Sequence, residues 1–395
     1  MTHGRGAALA LAASAAIAVA GAVATPAARA SGATAGSTPA VTSGGGLNGI
    51  DAVSASDVWA VGFAYAGSTY VPMAQRWNGK AWKVVATPGV SGAADAYLYG
   101  VDADSASDAW AVGYSSAGST SNTLVDHWNG KTWQVVPSPN PSGATGAYLY
   151  AVHAISATNV WAVGYQQPSF STLAEHWNGK AWKIVPSPDP AGASGSWLYG
   201  VDATSASNVW AVGYWSQGLT TSTLAERWNG HAWSIVASPS PGGSGTVTAL
   251  QAVRSPSPGN AWAVGYLYNG SLTAPVTEHW GGHAWKAVSS PAPSGSTATS
   301  LVAVDADAAT DAWAVGDSTS AGGVTGTVAE HWNGTAWRLA ASPNPAGSSD
   351  TSLTGVAAVS ASDAWAVGYS WNGAVTSTVT EHWKGKKWVL VTAPS

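Results

Sequence analysis

Five times in this chain an acidic residue is followed directly by histidine and tryptophan. The runs are Asp126-His127-Trp128, Glu175-His176-Trp177, Glu278-His279-Trp280, Glu330-His331-Trp332 and Glu381-His382-Trp383. A carboxylate beside an imidazole is the pairing used for general acid–base catalysis and for holding a divalent cation. On a β-strand, however, adjacent residues point to opposite faces, so Glu175 and His176 diverge. Recurrence along the chain also points to structure, since a catalytic site breaks symmetry. A two-residue hairpin register would place His176 across from Ala181, on a small-residue face that a neighbouring unit covers. Five neutral histidines held between units would then weaken the fold at low pH.

A second candidate set lies eight residues before a repeated tryptophan: Asp51, Asp102, His153, Asp202, Arg254, Asp305 and Ala357. Carboxylates converging on an axis are able to hold a cation, but Arg254 and Ala357 interrupt the set. Hydrogen bonding between units, with Arg254 neutralising one neighbour, is the expected role, and no metal is assigned. The third set is aromatic and departs from the repeat. Tyr97/Tyr99, Tyr148/Tyr150 and Trp197/Tyr199 stand where other units carry small or polar residues, and Trp215 lies in a nearby loop. An aromatic surface with a polar rim suits sugar rings, whose C–H faces stack on indole and phenol.

The elements that must position these groups are read from an internal repeat. Trp-Ala-Val-Gly begins at Trp59, Trp110, Trp161, Trp210, Trp262, Trp313 and Trp365, with about 51 residues per step. Each copy is followed by Trp-x-Gly-x-x-Trp, as at Trp128/Trp133. Three tryptophans per unit leave only Trp197, Trp215 and Trp371 of the 24 outside the repeat. Within the second unit, strands are expected at 98–103, 109–114, 123–128 and 132–136. Asn129-Gly130 is a two-residue hairpin signal in which both positions need φ > 0. The Asp or Asn before each second strand, from Asp57 to Asp363, reads as a local turn acceptor.

Four antiparallel strands repeated seven times give an all-β, seven-bladed β-propeller. On the second strand Trp110, Val112 and Tyr114 face one way and Ala109, Ala111 and Gly113 the other. One blade's large face can therefore fill the small face of the next. Each buried Trp removes roughly 150–250 Å² from water, worth on the order of 4–6 kcal/mol before entropy. Apart from Arg254, every basic residue after Arg29 lies in a third–fourth hairpin. There lysine keeps an outer edge strand from pairing with other chains. The last blade is complete in one stretch, with no strand exchange between termini.

Composition limits the function. Only 9% of the 395 residues are charged, the net charge is −5 and no cysteine is present. That excludes disulfides, thiolate metal sites and cysteine nucleophiles, and no basic block exists for nucleic acid. Residues 1–30 read as a signal peptide, with Arg5, an Ala-rich run from Ala7 to Ala24 and the small-x-small pattern Ala28-Arg29-Ala30. Residues 31–46 read as a linker and 47–395 as the propeller, secreted and not inserted in a membrane after cleavage.

The unit resembles kelch-type and galactose-oxidase-type repeats, which share its length, its strand layout and a Trp opening the fourth strand. The resemblance covers about residues 41–395. It departs at the kelch glycine pair, here the single Gly113 before Tyr114. The copper oxidases of that kind need a Tyr-Cys cofactor, which a chain without cysteine lacks, so no cofactor is expected. Sialidase-type Ser-x-Asp-x-Gly-x-Thr-Trp boxes are absent. The expectation is a non-enzymatic, exported binding module for a glycan or cell-surface polysaccharide, through Tyr97, Tyr99, Tyr148, Tyr150, Trp197, Tyr199 and Trp215. A surface scaffold for protein partners and an extracellular glycan-active hydrolase or lyase are the alternatives.

Overall fold

The computed structural model describes residues 44–394, so the expected signal peptide and all but the last residues of the linker lie outside the described residues. The chain is all-β, with 28 strands in seven four-stranded units. Unit two shows the plan: Asp95–Ser105, Asp108–Ala117, Thr120–Trp128 and Trp133–Val135, paired antiparallel in that order. The first three strands run longer than the sequence expectation because their ends alternate less clearly, and the fourth is shorter, at Trp133–Val135. For the same reason unit one starts at Gly45, inside the expected linker.

The glycine of Trp-Ala-Val-Gly is fixed by backbone contact. A Cβ on Gly113 would lie 1.9 Å from the carbonyl oxygen of Tyr97, and the equivalent atoms at Gly62, Gly164, Gly213, Gly265, Gly316 and Gly368 would lie 1.8–2.0 Å from theirs. The first strand closes on this point and then bulges. Leu98 pairs with Gly113 and Gly100 with Val112, leaving Tyr99 as the extra residue.

Packing between units follows the large-face, small-face expectation. Trp59 and Val61 of unit one share a cluster with Ala109, Ala111, Leu98, Trp128 and Trp133 of unit two. Trp59 lies 5.0 Å from both Trp128 and Trp133. The last unit meets the first in the same way, with Trp365 4.8 Å from Trp77 and 5.4 Å from Trp82. Units one and seven each hold all four of their own strands.

Two local readings need correction. Trp128 and Trp133 pair directly, with four residues between them, and only Gly130 has positive φ, at 88°. The Asn129 side chain sets this loop by accepting hydrogen bonds from the amides of Lys131 and Thr132, both at 3.0 Å. Accordingly His176 pairs with Lys183, not Ala181. It lies on the Trp face, tilted against Trp161 at 4.5 Å, because Trp161 is its partner on the second strand. The Asp or Asn before the second strand serves this same side chain. Asp108 lies 2.8 Å from His127, Asn159 2.8 Å from His176, and Asp57 2.6 Å from Arg76. Serine supplies the turn acceptor instead, as Ser105 does for the amide of Ser107 at 3.3 Å.

Glu175 and its equivalents project from the opposite, small face into the seam with the preceding unit. Ser187, Ser238 and Ser290 donate to Glu226, Glu278 and Glu330 at 2.6, 2.6 and 2.8 Å, and Ser138 donates to Glu175. Unit one carries Gln75 instead, whose amide donates to the carbonyl of Pro394 at 2.7 Å. Burial pushes Glu175, Glu226, Glu330 and Glu381 up to about 8, against the lowering effect of the serine bonds.

Two predictions follow from this packing. Gly113→Ala must move the Tyr97 carbonyl, and we expect it to cost about 1–3 kcal/mol or more in chemical denaturation, as overpacking does. A wild-type midpoint in the variant would contradict the close approach. The seam glutamates hold their protons more tightly in the fold than in the unfolded chain. Their stabilisation is therefore complete below the ordinary value of 4.5 and lost as pH rises through about 8. His176 and His279, which burial lowers from 6.5, act only below neutrality, where their contribution is lost as pH falls. The melting temperature should fall from pH 7 to pH 9, and more shallowly in the double variant Glu330→Gln/Glu381→Gln. An unchanged slope would rule out the seam carboxyls as its cause.

Candidate functional site

The seven first strands surround a cavity of about 230 Å³. In each strand the bulged residue lines it. Units two to four contribute Tyr99, Tyr150 and Tyr199, and the other units contribute Asn48, Gln251, Val302 and Thr354. One arc of the wall is thus aromatic and the other mostly polar. Connectors and second–third loops meet at one end of the units. There Ala94, Thr145 and Ser194 donate backbone hydrogen bonds to Ser116, Gln167 and Ser216 at 2.7, 2.9 and 2.8 Å.

The aromatic arc is built twice over. Tyr99, Tyr150 and Tyr199 stack on the second-strand tyrosines of their own units, Tyr114, Tyr165 and Tyr214, at 5.7, 5.9 and 5.6 Å. They also touch one another, Tyr99 to Tyr150 at 4.9 Å and Tyr150 to Tyr199 at 4.8 Å. Burial raises all three hydroxyls well above the ordinary tyrosine range, so they stay protonated as donors at any physiological pH.

The remaining expected aromatics bridge the units. Tyr148 lies 4.8 Å from both Tyr114 and Tyr165, and Trp197 lies 4.9 Å from Tyr214 and 5.9 Å from Phe170. Both are half-buried. Tyr97 is only 7% exposed, wedged among Phe63, Tyr70 and Tyr114. Trp215 stands apart from this network and packs on the seam between units three and four. The structure therefore gathers six of the seven expected residues and separates Trp215, because Trp215 is one residue out of phase with Tyr214 on its strand.

Three residues further along the first strands lies the acidic set. Asp51, Asp102, Asp202 and Asp305 accept backbone hydrogen bonds from Ala103, Ala154, Ser255 and Ala358 of later units at 2.8, 2.8, 2.6 and 2.7 Å. His153 lies 3.3 Å from both Asp102 and Asp202. Arg254 reaches Asp202 at 3.1 Å and Asp305 at 2.7 Å, bridging two carboxylates where one was expected. Burial alone would lower His153, but Asp102 and Asp202 outweigh it and raise it to about 9. These groups are committed to holding neighbouring units together.

Two residues at the site were not singled out in the sequence. Gln251 is 7% exposed, lines the cavity and has no hydrogen-bond partner for its Nε2 among the described residues. Counting three residues back from the Asp51 set would have found it. Asp317 takes the second-strand place of Tyr114, Tyr165 and Tyr214, and burial, helped by Asp350, pushes it up to about 7. Its signal is an acidic residue after the repeated glycine, Gly316.

No protein-family model matches the chain, and no curated protein matches it. Among solved structures it is similar to a polysaccharide lyase, an ulvan lyase bound to -[GlcA(1-4)Rha3S]-. The two share 8% identity and a TM-score of 0.57, over 89% of this chain and 99% of that one. It is also similar to a GH74 xyloglucanase from Xanthomonas campestris, at 14% identity and a TM-score of 0.53, over 89% of this chain and 56% of that one. A lectin in complex with alpha methyl fucoside aligns at 15% identity with a TM-score of 0.48, over 73% of this chain and 92% of that one. At these identities the likeness to the lyase and the xyloglucanase is one of fold.

Proposed function

We propose that the chain is an exported, seven-bladed β-propeller of kelch-like kind that binds glycans at the tyrosine-rich mouth of its central cavity. The observation that carries this reading is the continuous row Tyr99–Tyr150–Tyr199 in a cavity that Asn48, Gln251 and Thr354 also line. Aromatic faces take the C–H faces of a sugar ring, and a few convergent amides and hydroxyls fix its orientation. Tyr148 and Trp197 extend the surface outward. The named activities of the ulvan lyase and the xyloglucanase accord with polysaccharide handling on this fold. Among the described residues no helix is long and apolar enough to cross a membrane.

A glycan-active enzyme is the second reading, favoured by Asp317. Burial, helped by the charge of Asp350, pushes its carboxyl up to about 7, in the range of a general acid. One experiment separates the two readings. The full chain is screened on a polysaccharide and oligosaccharide array, and the bound material is analysed for chain length. We expect binding with the glycan returned intact, weakened about 2- to 10-fold by Tyr148→Ala or Trp197→Ala, the value of one ring contact of about 0.5–1.5 kcal/mol. Shortened products that disappear in Asp317→Asn would establish the enzyme. Absence of any glycan binding would overturn both readings.

A further inference from the structure

We infer that the axial cavity receives the uncharged end of a glycan chain, entering end-on and held by Gln251. This deepens the glycan-binding reading and rests on it. Gln251 is the bulged residue of its first strand, between Leu250 and Ala252, and it is 93% buried with an unpartnered amide nitrogen at the cavity wall. A buried amide without a partner costs free energy unless something accepts its hydrogen bond. The other polar residues of the row are already engaged. Asn48 donates to the carbonyl of Leu98 at 2.8 Å and Thr354 to that of Leu47 at 2.7 Å. Gln251 is thus the unspent donor of the polar arc, next in the row after Tyr199.

The depth and far end of the cavity set the geometry. The bonded carboxylate set lies three residues beyond the bulged row, about 10 Å at the usual strand rise. There His153 ties Asp102 to Asp202 and Arg254 ties Asp202 to Asp305. A polymer would have to break these pairs to thread through, so a chain end enters and an internal segment does not. At 230 Å³ the cavity is also smaller than the roughly 300–1,000 Å³ typical of clefts for drug-sized ligands.

Charge decides the class of sugar. No charged side chain lines the cavity. The cations beyond it, His153 and Arg254, are already paired with aspartates. A uronate or sulfate placed among three tyrosines would be desolvated without a counter-charge. A neutral ring offers hydroxyls that accept from Gln251 and donate to the Asn48 carbonyl oxygen.

The test is calorimetric titration of the full chain with neutral gluco-, xylo-, manno- and galacto-oligosaccharides of two to six rings, and with the same chains ending in a uronate. We expect at least one neutral series to bind with an affinity per chain that stops rising after two or three rings. Its uronate-ended form should bind about tenfold or more weakly, and Gln251→Leu should weaken the neutral series about tenfold with the melting temperature unchanged. If Gln251→Leu does not fold, Gln251→Asn serves the same comparison. Affinity that grows with every added ring, equal binding of the uronate-ended chains, or wild-type binding by the Gln251 variants would overturn the end-on site. In those cases the wider glycan reading would stand, provided Tyr148→Ala still weakened binding. No binding by any series would overturn the end-on site, and the wider glycan reading would then stand or fall with the array.

Discussion

Everything in this protein depends on a carbonyl pressed against a glycine. In each unit the first strand approaches the second so closely, at the last residue of Trp-Ala-Val-Gly, that a Cβ would fall 1.8–2.0 Å from a backbone oxygen. Only glycine permits the approach, and the first strand relieves it by bulging one residue later. Repeated seven times, the bulge turns one side chain per unit toward the cavity. The residue identities at that place, three tyrosines followed by Gln251, Val302, Thr354 and Asn48, then decide what the cavity can recognise. The site is thus a by-product of a packing constraint, specialised by the residues the constraint happens to aim.

The same repeat explains cohesion in a chain with few charges and no disulfide. The tryptophan two residues before Val61 or Val112 lies over the alanines of the next unit, and a histidine or arginine on its own third strand covers its other side. Arg76, 4.9 Å from Trp59, plays the part that His127 plays 4.2 Å from Trp110. Burial raises the carboxyls behind that strand well above the ordinary carboxylate range, which favours their neutral form, and serine hydroxyls bond Glu175, Glu226, Glu278, Glu330 and Glu381. Where the last unit meets the first, Gln75 takes the place of the acid, and its amide donates to the carbonyl oxygen of Pro394.

Much of this was legible in the sequence. Period-2 alternation at Trp110–Tyr114 and the fixed Trp spacing gave the strands, their faces and the seven units, since both depend on local patterning. What stayed hidden depended on register. The four-residue turn at Asn129–Thr132 looks like a two-residue Asn-Gly loop, because the side chain that remakes the turn leaves no separate trace. The bulge at Tyr99 cannot be read from Gly113, which lies on another strand. Without it Tyr99 and Tyr97 look equivalent, although one lines the cavity and the other is wedged in a seam. Trp215 was read as a loop residue near the aromatic pairs, but it lies within the second strand Asn208–Gln217, where the pleat sends it away from Tyr214.

The most direct measurement is a crystal structure of the protein soaked with a neutral oligosaccharide that binds it. The account predicts the terminal ring within hydrogen-bond distance of Gln251 Nε2 and lying against Tyr150, with the rest of the chain leaving toward Tyr148 and Trp197. A ligand held along the outer fourth strands, or between units away from the cavity, would contradict it.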